Sequence, residues 1–160
     1  MRNEQHGLDP IVFDNSEILI LGSLPSKKSI ETSTYFANRG NRFWLMMARL
    51  YGEENPESKD QINDFLKRHR IALWDVYKSA IREGSSDESM TNSKYNDIAD
   101  FFDKHKTIKK ILVAGKKAQQ GFKEHNKGIG FIPVPSTSGA NAHFDENEWR
   151  EAIIKHGKED

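Results

Sequence analysis

The segment TYFANRGNRFW, at residues 34–44, places carboxamides among ring side chains. Asn38 and Asn41 stand close to Tyr35 and Phe36, although an amide is costly to bury unless it is hydrogen-bonded. Rings in a loop can stack on a planar ligand while amides read its edge or hold a water molecule. Recognition of a nucleobase requires that combination, so this segment is a candidate binding or catalytic site.

Helix capping is an alternative explanation for one of the two amides. The residues RFWLMMARLY, at 42–51, have the apolar spacing of a partly buried helix. Asn41 would then stand at the start of this helix, where asparagine is a favoured cap. A capping role for Asn41 does not explain Asn38, Tyr35 and Phe36, so a functional role for this segment remains an alternative.

Two further stretches are rich in small residues and hydroxyl groups. GSLPS at residues 22–26 has a glycine that lets the backbone approach a ligand, but it lacks the lysine of a Walker loop and the GxGxxG spacing. PSTSGANAHF at residues 135–144 offers backbone N–H groups and three hydroxyls that suit contact with phosphate. The structural alternatives are a tight turn for the first and, for the second, a flexible connection to a helix capped by Asp145.

The elements that must position these stretches are short apolar runs that alternate with helical patterns. Four runs predict buried strands, at residues 17–21, 71–76, 109–115 and 129–136, the last with prolines that mark a strand end or an edge. Five segments predict helices, at residues 41–51, 59–69, 95–105, 116–125 and 146–156. This alternation predicts a three-layer α/β domain with about four parallel strands joined by right-handed crossovers. Ligands bind such sheets at the carboxyl ends of the strands, where GSLPS and PSTSGANAHF both begin.

Composition limits the classes of protein that fit. The 160 residues predict a single domain over residues 1–160. Lysine plus arginine equals aspartate plus glutamate at 24 each, so nucleic-acid contact would need a local basic face, for which Lys27, Lys28, Lys116 and Lys117 are candidates. The chain has no cysteine, which excludes disulfides and thiolate metal sites. Neither a membrane-spanning run nor a secretory signal pattern is present, so we expect a cytoplasmic protein.

Taken together, these stretches resemble the uracil-DNA glycosylase superfamily. GSLPS after a strand matches its first motif, FANRGNRFW is similar to the FAHPxNRFW block of the mismatch-specific branch, and VPSTSGANA is similar to the second motif loop. The hypoxanthine-DNA glycosylase branch, also called DNA-deoxyinosine glycosylases, matches best, because GSLPS, YFAN, NRFW, LWDV, REGS.D and PSTSGANA all suit it. The resemblance implies a three-layer α/β/α fold with a central four-stranded parallel sheet. It also implies no metal or organic cofactor, and hydrolytic release of a deaminated base (hypoxanthine, with uracil or xanthine as further candidates) from DNA by a monomer.

The resemblance also assigns roles to residues. Leu24 stands where the mismatch-specific branch has a catalytic asparagine, and leucine can neither orient water nor accept a proton. The hypoxanthine branch has its catalytic asparagine elsewhere, which points to Asn41, with Asn38 as second choice and the opposite order still open. The substrate-binding residues implied by the resemblance are Gly22, Ser23, Tyr35, Phe36, Ser136, Thr137, Ser138 and Asn141.

Other interpretations of these residues do not involve catalysis. Leu24 gives weight to an alternative function, a catalytically inactive α/β module that binds a nucleotide or DNA. We expect the polar stretch at residues 82–94 to be a solvated connection in its middle, and Asp75 to cap the segment after it or to orient Arg82. His143 is expected to be solvated. The residues expected in the core are Phe43, Trp44, Leu45 and Trp74.

Overall fold

The computed structural model describes residues 2–155 and contains seven strands and six α-helices in that range. The strands are β1 (Arg2–His6), β2 (Ile18–Gly22), β3 (Ile71–Asp75), β4 (Tyr77–Glu83), β5 (Thr91–Tyr95), β6 (Lys110–Ala114) and β7 (Ile132–Val134). The helices are α1 (Lys27–Thr32), α2 (Phe43–Tyr51), α3 (Lys59–Arg68), α4 (Ile98–Lys104), α5 (Lys116–His125) and α6 (Glu146–Arg150). A 3₁₀ turn covers Asp87–Ser89, and a π-helical turn, Glu151–Lys155, follows α6.

Four strands form a parallel sheet in the order β3-β2-β6-β7. The position of β2 inside this sheet explains why the sequence of this strand is a continuous apolar run. Ile18 and Ile20 pack into one apolar cluster with α2, α3 and α6, whereas Leu19 and Leu21 pack into a second cluster with α4 and α5. Alternate residues of a strand point to opposite faces, so both faces of β2 are covered. The prediction of a three-layer α/β/α domain around four parallel strands is confirmed.

The edge strand β7 carries a proline at a position where proline is tolerated. Pro133 is exposed and pairs in register with Val113 of β6, and within residues 2–155 β7 has no further neighbour in this sheet. Proline cannot donate a ladder hydrogen bond, which restricts it to edges. The predicted edge position is therefore confirmed. The expectation that Leu45 lies in the core is wrong, because its side chain is 51% exposed on the outer face of α2.

A second sheet was missed from the sequence. Strands β1, β4 and β5 form an antiparallel sheet in the order β1-β4-β5, and β4 begins two residues after β3 ends. Strand β4 buries Ser79 and Arg82 as well as Tyr77 and Ala80, so its sequence looks polar although most of the strand is covered. The polar stretch at residues 82–94 is thus mainly a hairpin. None of the helices in residues 2–155 is long and apolar enough to cross a membrane.

Candidate active site

A pocket of about 150 Å³ opens at the carboxyl edge of the parallel sheet. Its walls come from residues 22–26 after β2, from parts of residues 35–41 before α2, and from the end of β3. The other walls come from residues 85 and 87 after β4, from residues 114 and 115 after β6, and from residues 136–138 after β7. Parallel strands bring their carboxyl ends to one edge, which is why stretches distant in sequence meet here.

The loop after β2 is fixed by Arg82 of β4. The guanidinium of Arg82 is 1% exposed and donates hydrogen bonds to the backbone carbonyls of Leu24 and Pro25. It also contacts the carboxylate of Asp87, which accepts a 2.6 Å hydrogen bond from the Ser23 hydroxyl. Charge-assisted hydrogen bonds of this kind hold a loop in one conformation. The Leu24 side chain is 6% exposed and packs into the core.

Phe36 has a backbone conformation that is rare for a bulky residue, with φ at +58°. Its ring stacks on Phe43, the first residue of α2, with ring centroids 3.9 Å apart, and meets Trp44 edge-on at 6.4 Å. The half-buried ring also lines the pocket. A strained backbone persists where the surroundings impose it, and such positions cluster at ligand sites. Phe36 is therefore held as a rigid aromatic wall.

Tyr35 lines the pocket with a hydroxyl that is already bonded. The hydroxyl donates to the backbone carbonyl of Asp9 at 2.7 Å, and the Tyr35 carbonyl accepts the indole N–H of Trp44 at 2.8 Å. Burial raises the pKa of the Tyr35 hydroxyl, and the negative charges of Asp75 and Asp9 raise it further. Tyr35 thus stays neutral and supports the wall of the pocket.

The two asparagines both line the pocket but differ in their bonding. The Asn41 carboxamide oxygen accepts the backbone N–H of Phe43 at 2.9 Å, so it satisfies one of the free N–H groups at the start of α2. The helix cap itself is Arg42, one residue later than expected. Asn38 is exposed, and its side-chain amide has no hydrogen-bond partner among residues 2–155. Asn38 is therefore the pocket asparagine whose amide oxygen and nitrogen are both unbonded in this range, whereas the oxygen of Asn41 is engaged.

The loop after β7 is rigidified by its own polar groups. Its three hydroxyl residues, Ser136, Thr137 and Ser138, line the pocket. The Asn141 amide donates to the Ser136 carbonyl at 2.9 Å, and its oxygen accepts the N–H of His143 at 3.0 Å. Asn141 consequently braces the loop and is not part of the described pocket lining. His143 is exposed and also lies outside that lining.

Arg42 joins this loop to the start of α2. Its backbone N–H donates to the Thr137 carbonyl at 2.9 Å. Its guanidinium donates to the carbonyls of Ser138 at 3.0 Å and Asn141 at 3.1 Å, and lies 4.9 Å from the ring centre of Phe144. Three carbonyl contacts from one residue fix the distance between two walls of the pocket.

Two glycines allow these walls to approach each other closely. A Cβ atom on Gly139 would lie 2.9 Å from the carbonyl oxygen of Gly40, which is closer than a Cβ atom can come to a backbone oxygen. Gly40 itself has φ at +87°, a conformation that favours glycine. The small residues of the PSTSGANA stretch therefore allow the loop after β7 to pack closely against the loop before α2.

Asp75, at the end of β3, is a pocket residue that the sequence analysis assigned to a structural role. Its side chain is 4% exposed, and Oδ2 has no hydrogen-bond partner among residues 2–155. A Cβ atom on Gly22 would lie 2.9 Å from Asp75 Oδ1, so a larger residue at this position would displace the Asp75 carboxyl group. Burial raises the pKa of Asp75 to about 7, and Asp87 adds to this, whereas Arg82 and the Gly22 N–H oppose it.

The expectation that Asp75 orients Arg82 is wrong, because no hydrogen bond or ion pair joins these two side chains among the described residues. Arg82 bonds to backbone carbonyls and to Asp87, and acts on Asp75 only through its charge. A sequence signal for Asp75 did exist, since an acid directly at the carboxyl end of a predicted strand stands at the ligand-binding edge.

Asp87 is a second pocket residue that the sequence analysis missed. Burial raises the pKa of its carboxyl group, although the hydrogen bond from Ser23 and the charge of Arg82 oppose the increase. The expectation of a solvated connection fits Ser86 and Glu88, which are exposed, but not Asp87. The acidic, serine-rich sequence gave no signal for this difference, because Asp87 is half-buried by contacts with residues such as Ser23 that are distant in the chain.

Four lysines flank the same edge of the sheet without lining the pocket. Lys27 and Lys28 open α1, and Lys116 and Lys117 open α5 directly after β6. All are exposed except Lys117, which is half-buried. Among residues 2–155, no cluster of three or more histidine, aspartate or glutamate side chains could hold a metal ion.

Comparison with known proteins matches this chain to one family. Residues 10–156 match the family model described as the uracil DNA glycosylase superfamily. Two similar proteins are named hypoxanthine DNA glycosylase. The one from Methanosarcina acetivorans is 36% identical over 158 residues, covering 95% of this chain and 99% of that protein. The one from Methanosarcina barkeri is 34% identical over 156 residues, covering 94% and 98%.

A solved structure has the same fold. The solution NMR structure of a Methanosarcina acetivorans protein described as a candidate uracil DNA glycosylase superposes with a TM-score of 0.81 at 34% sequence identity. The match covers 94% of this chain and 97% of the other.

Proposed function

This chain belongs to the uracil DNA glycosylase superfamily, and from that premise we propose that it is a monofunctional DNA glycosylase. It hydrolyses the N-glycosidic bond of a deaminated base in DNA. Hypoxanthine is the proposed base, because both similar curated proteins are named for it, and uracil and xanthine are further candidates. Removal of the base leaves an abasic site, which is the first step of base excision repair.

One observation carries the proposal: an aromatic wall, a free amide and a hydroxyl-rich loop meet in one pocket. The wall is Phe36, the amide is that of Asn38, and the loop contains Ser136, Thr137 and Ser138. A flipped nucleotide offers a flat base, a glycosidic bond and flanking phosphates. The three features of the pocket match those three parts of the substrate.

Access to the base requires that the nucleotide leaves the double helix. Extrusion costs a few kcal/mol and is least costly for a mispaired base such as a deaminated one. Stacking on Phe36 would recover part of this cost, since stacking of a base on an aromatic side chain contributes roughly 1–3 kcal/mol. The left-handed backbone of Phe36 and its contact with Phe43 keep the ring ready before the base arrives.

Cleavage of the glycosidic bond does not require a strong general base. The transition state of glycosidic cleavage resembles an oxocarbenium ion, so the sugar becomes positive while the departing base takes negative charge. Water attacks late and needs positioning more than deprotonation, which a carboxamide oxygen can provide. We assign this role to Asn38 first and to Asn41 second, because the Asn41 oxygen already accepts the first N–H of α2.

The remaining lining residues are assigned to binding. Gly22 and Ser23 contact the base from the end of β2, and Tyr35 supports the aromatic wall. Hypoxanthine and uracil both present a carbonyl acceptor beside a ring N–H donor, which a side-chain amide complements. The serine-rich loop and the flanking lysines at the same edge would hold the phosphates on either side of the flipped nucleotide.

The cellular context follows from the substrate. We propose that the protein acts as a monomer on DNA. We also propose that it works in the compartment that holds the DNA, which is the cytoplasm in a cell without a nucleus.

A base-release assay tests the proposed function. Purified protein is incubated with duplexes that carry inosine, uracil or xanthine, and alkali then cleaves any abasic site. We expect strand breaks at inosine and none in a matched duplex with adenine at the same position. An absence of breaks with all three bases would contradict the proposal, and competition between inosine and uracil duplexes ranks the bases.

A second candidate function is a catalytically inactive module that binds nucleotides or DNA. The observation that favours it is Leu24, whose aliphatic side chain is packed into the core at a position where a related branch has its catalytic asparagine. This candidate predicts salt-dependent binding to DNA without any released base.

A further inference from the structure

Asp75 presents an unsatisfied carboxylate oxygen beside the pocket that would receive the base. Its Oδ2 atom is buried without a hydrogen-bond partner among residues 2–155. An unpaired buried polar atom is costly and rare in folded proteins. Because Asp75 also lines the pocket, a ligand in the pocket is the natural partner for this oxygen.

The surroundings of Asp75 favour its neutral form. Four groups act on it: the guanidinium of Arg82, the carboxyl group of Asp87, the hydroxyl of Tyr35 and the N–H of Gly22. Arg82 is engaged by the carbonyls of the loop after β2 and by Asp87, so it does not form an ion pair with Asp75. Burial raises the pKa of Asp75 to about 7, and a base that displaces water from the pocket would act in the same direction.

In the proposed reaction, a neutral Asp75 side chain can act as a hydrogen-bond donor and as an acid. The departing base becomes negative, so a charged carboxylate next to it would oppose cleavage, whereas a neutral carboxyl group can donate a hydrogen bond. Resting on the glycosylase function proposed above, we propose that Asp75 contacts the extruded base directly and donates its proton to an acceptor atom of that base. The acceptor is a carbonyl oxygen or a ring nitrogen.

Atoms and charges balance in this step. The bond between the sugar carbon and the base nitrogen breaks, and its electron pair leaves with the base. The carboxyl proton of Asp75 moves to the base, which departs neutral. Water adds to the sugar carbon and loses a proton, and a proton from solvent restores Asp75. The products are the free base and an abasic site, with one water consumed.

Single-turnover rates as a function of pH test the proposal. With excess protein and an inosine duplex, we expect the wild-type rate to be constant in mild acid and to fall about tenfold per pH unit above an inflection near neutrality. Asp75→Asn keeps the size of the side chain but cannot give up a proton. It should lower the rate about 10²-fold in mild acid and remove the dependence on pH.

Asp87→Asn is the matched control, because it makes the same substitution at the neighbouring carboxyl group. The negative charge of Asp87 raises the pKa of Asp75. The variant should therefore keep the pH dependence, but with its inflection moved to lower pH. An inflection that stays in place would contradict the contribution of the Asp87 charge to the raised pKa of Asp75.

Three results would overturn the role of Asp75. They are an Asp75→Asn variant with the rate and pH profile of wild type, a slower variant with an unchanged profile, and a wild-type rate that rises with pH through neutrality. The carboxyl carbon resonance of Asp75, titrated by NMR in the wild-type protein, provides a test that does not depend on the variant folding. An inflection near the ordinary value of aspartate would also overturn the role. Failure of the wild-type protein to release any base would instead contradict the proposed function itself.

Discussion

Asn38 and Asn41 are three residues apart and line the same pocket, yet they are available for different tasks. The Asn41 oxygen holds the first N–H of α2, whereas the exposed Asn38 amide has no partner among residues 2–155. A residue that stabilises a helix and a residue that positions water should respond differently to truncation. The pair therefore offers its own internal control.

We predict that Asn38→Ala lowers the single-turnover rate on the order of 10²-fold, because misplacement of a reactant by a small distance costs that much. Its free energy of unfolding should stay within about 0.5 kcal/mol of wild type, as for other exposed positions. Asn41→Ala should instead lower the free energy of unfolding by about 1 kcal/mol, since a helix-capping contact is lost. Base-release rates and urea denaturation measure both effects.

The reverse result would exchange the two roles. If Asn41→Ala abolished base release without a change in stability while Asn38→Ala remained active, Asn41 would be the residue that positions water. Loss of activity in both variants with unchanged stability would indicate that both asparagines position the water.

At the scale of elements, strand β4 supports the pocket although its own residues stand outside the lining. Arg82 reaches from β4 to the loop after β2, and it also donates a 2.9 Å hydrogen bond to Gln5 of β1. The antiparallel sheet thus fixes the position of a loop that belongs to the parallel sheet. Arginine suits this task because its planar fork serves several acceptors at once.

We predict that Arg82→Lys lowers the free energy of unfolding by on the order of 3 kcal/mol, because one ammonium group cannot replace the buried fork and Asp87 loses its contact with the guanidinium. Lys78→Ala is the matched control, since Lys78 is exposed on the same strand. It should change the stability by no more than about 0.5 kcal/mol. Equal urea midpoints for the two variants would show that Arg82 does not brace the loop.

At the scale of the whole molecule, the buried acid Asp75 makes stability depend on pH. The pKa of Asp75 is raised from the ordinary value of 3.8 to about 7 in the folded state. Between these two values the folded protein binds more protons than the unfolded chain. The free energy of unfolding therefore falls as pH rises through this window.

We predict that Asp75→Asn removes this loss of stability. The linked free energy is up to about 4 kcal/mol, so the variant should be more stable than wild type above neutral pH and should approach it near pH 4. Urea denaturation of both proteins at mildly acid and mildly alkaline pH gives the comparison. Parallel stability curves for the two proteins would mean that Asp75 is not held in its neutral form.

Much of this architecture was determined by the sequence alone. Strands β2, β3, β6 and β7 were predicted from short apolar runs. In the central strand β2 the run is continuous because both faces are covered, as Leu19 and Ile20 illustrate. The loops after β2 and β7 could be assigned to one edge, because parallel strands carry their carboxyl ends together. The family resemblance then followed from motifs that stand at this edge.

Only the tertiary structure decided the second sheet and the roles of the carboxyl groups. Ser23 and Asp87 are 64 positions apart, and Gln5 and Arg82 are 77 apart, so no local pattern indicates that they bond. The same holds for Asp75, because its Oδ2 atom has no hydrogen-bond partner in the described part of the chain while Arg82 is engaged elsewhere. A periodic pattern reports which face of an element is buried, but burial of a polar group and the identity of its partner are set by chain segments that meet only on folding.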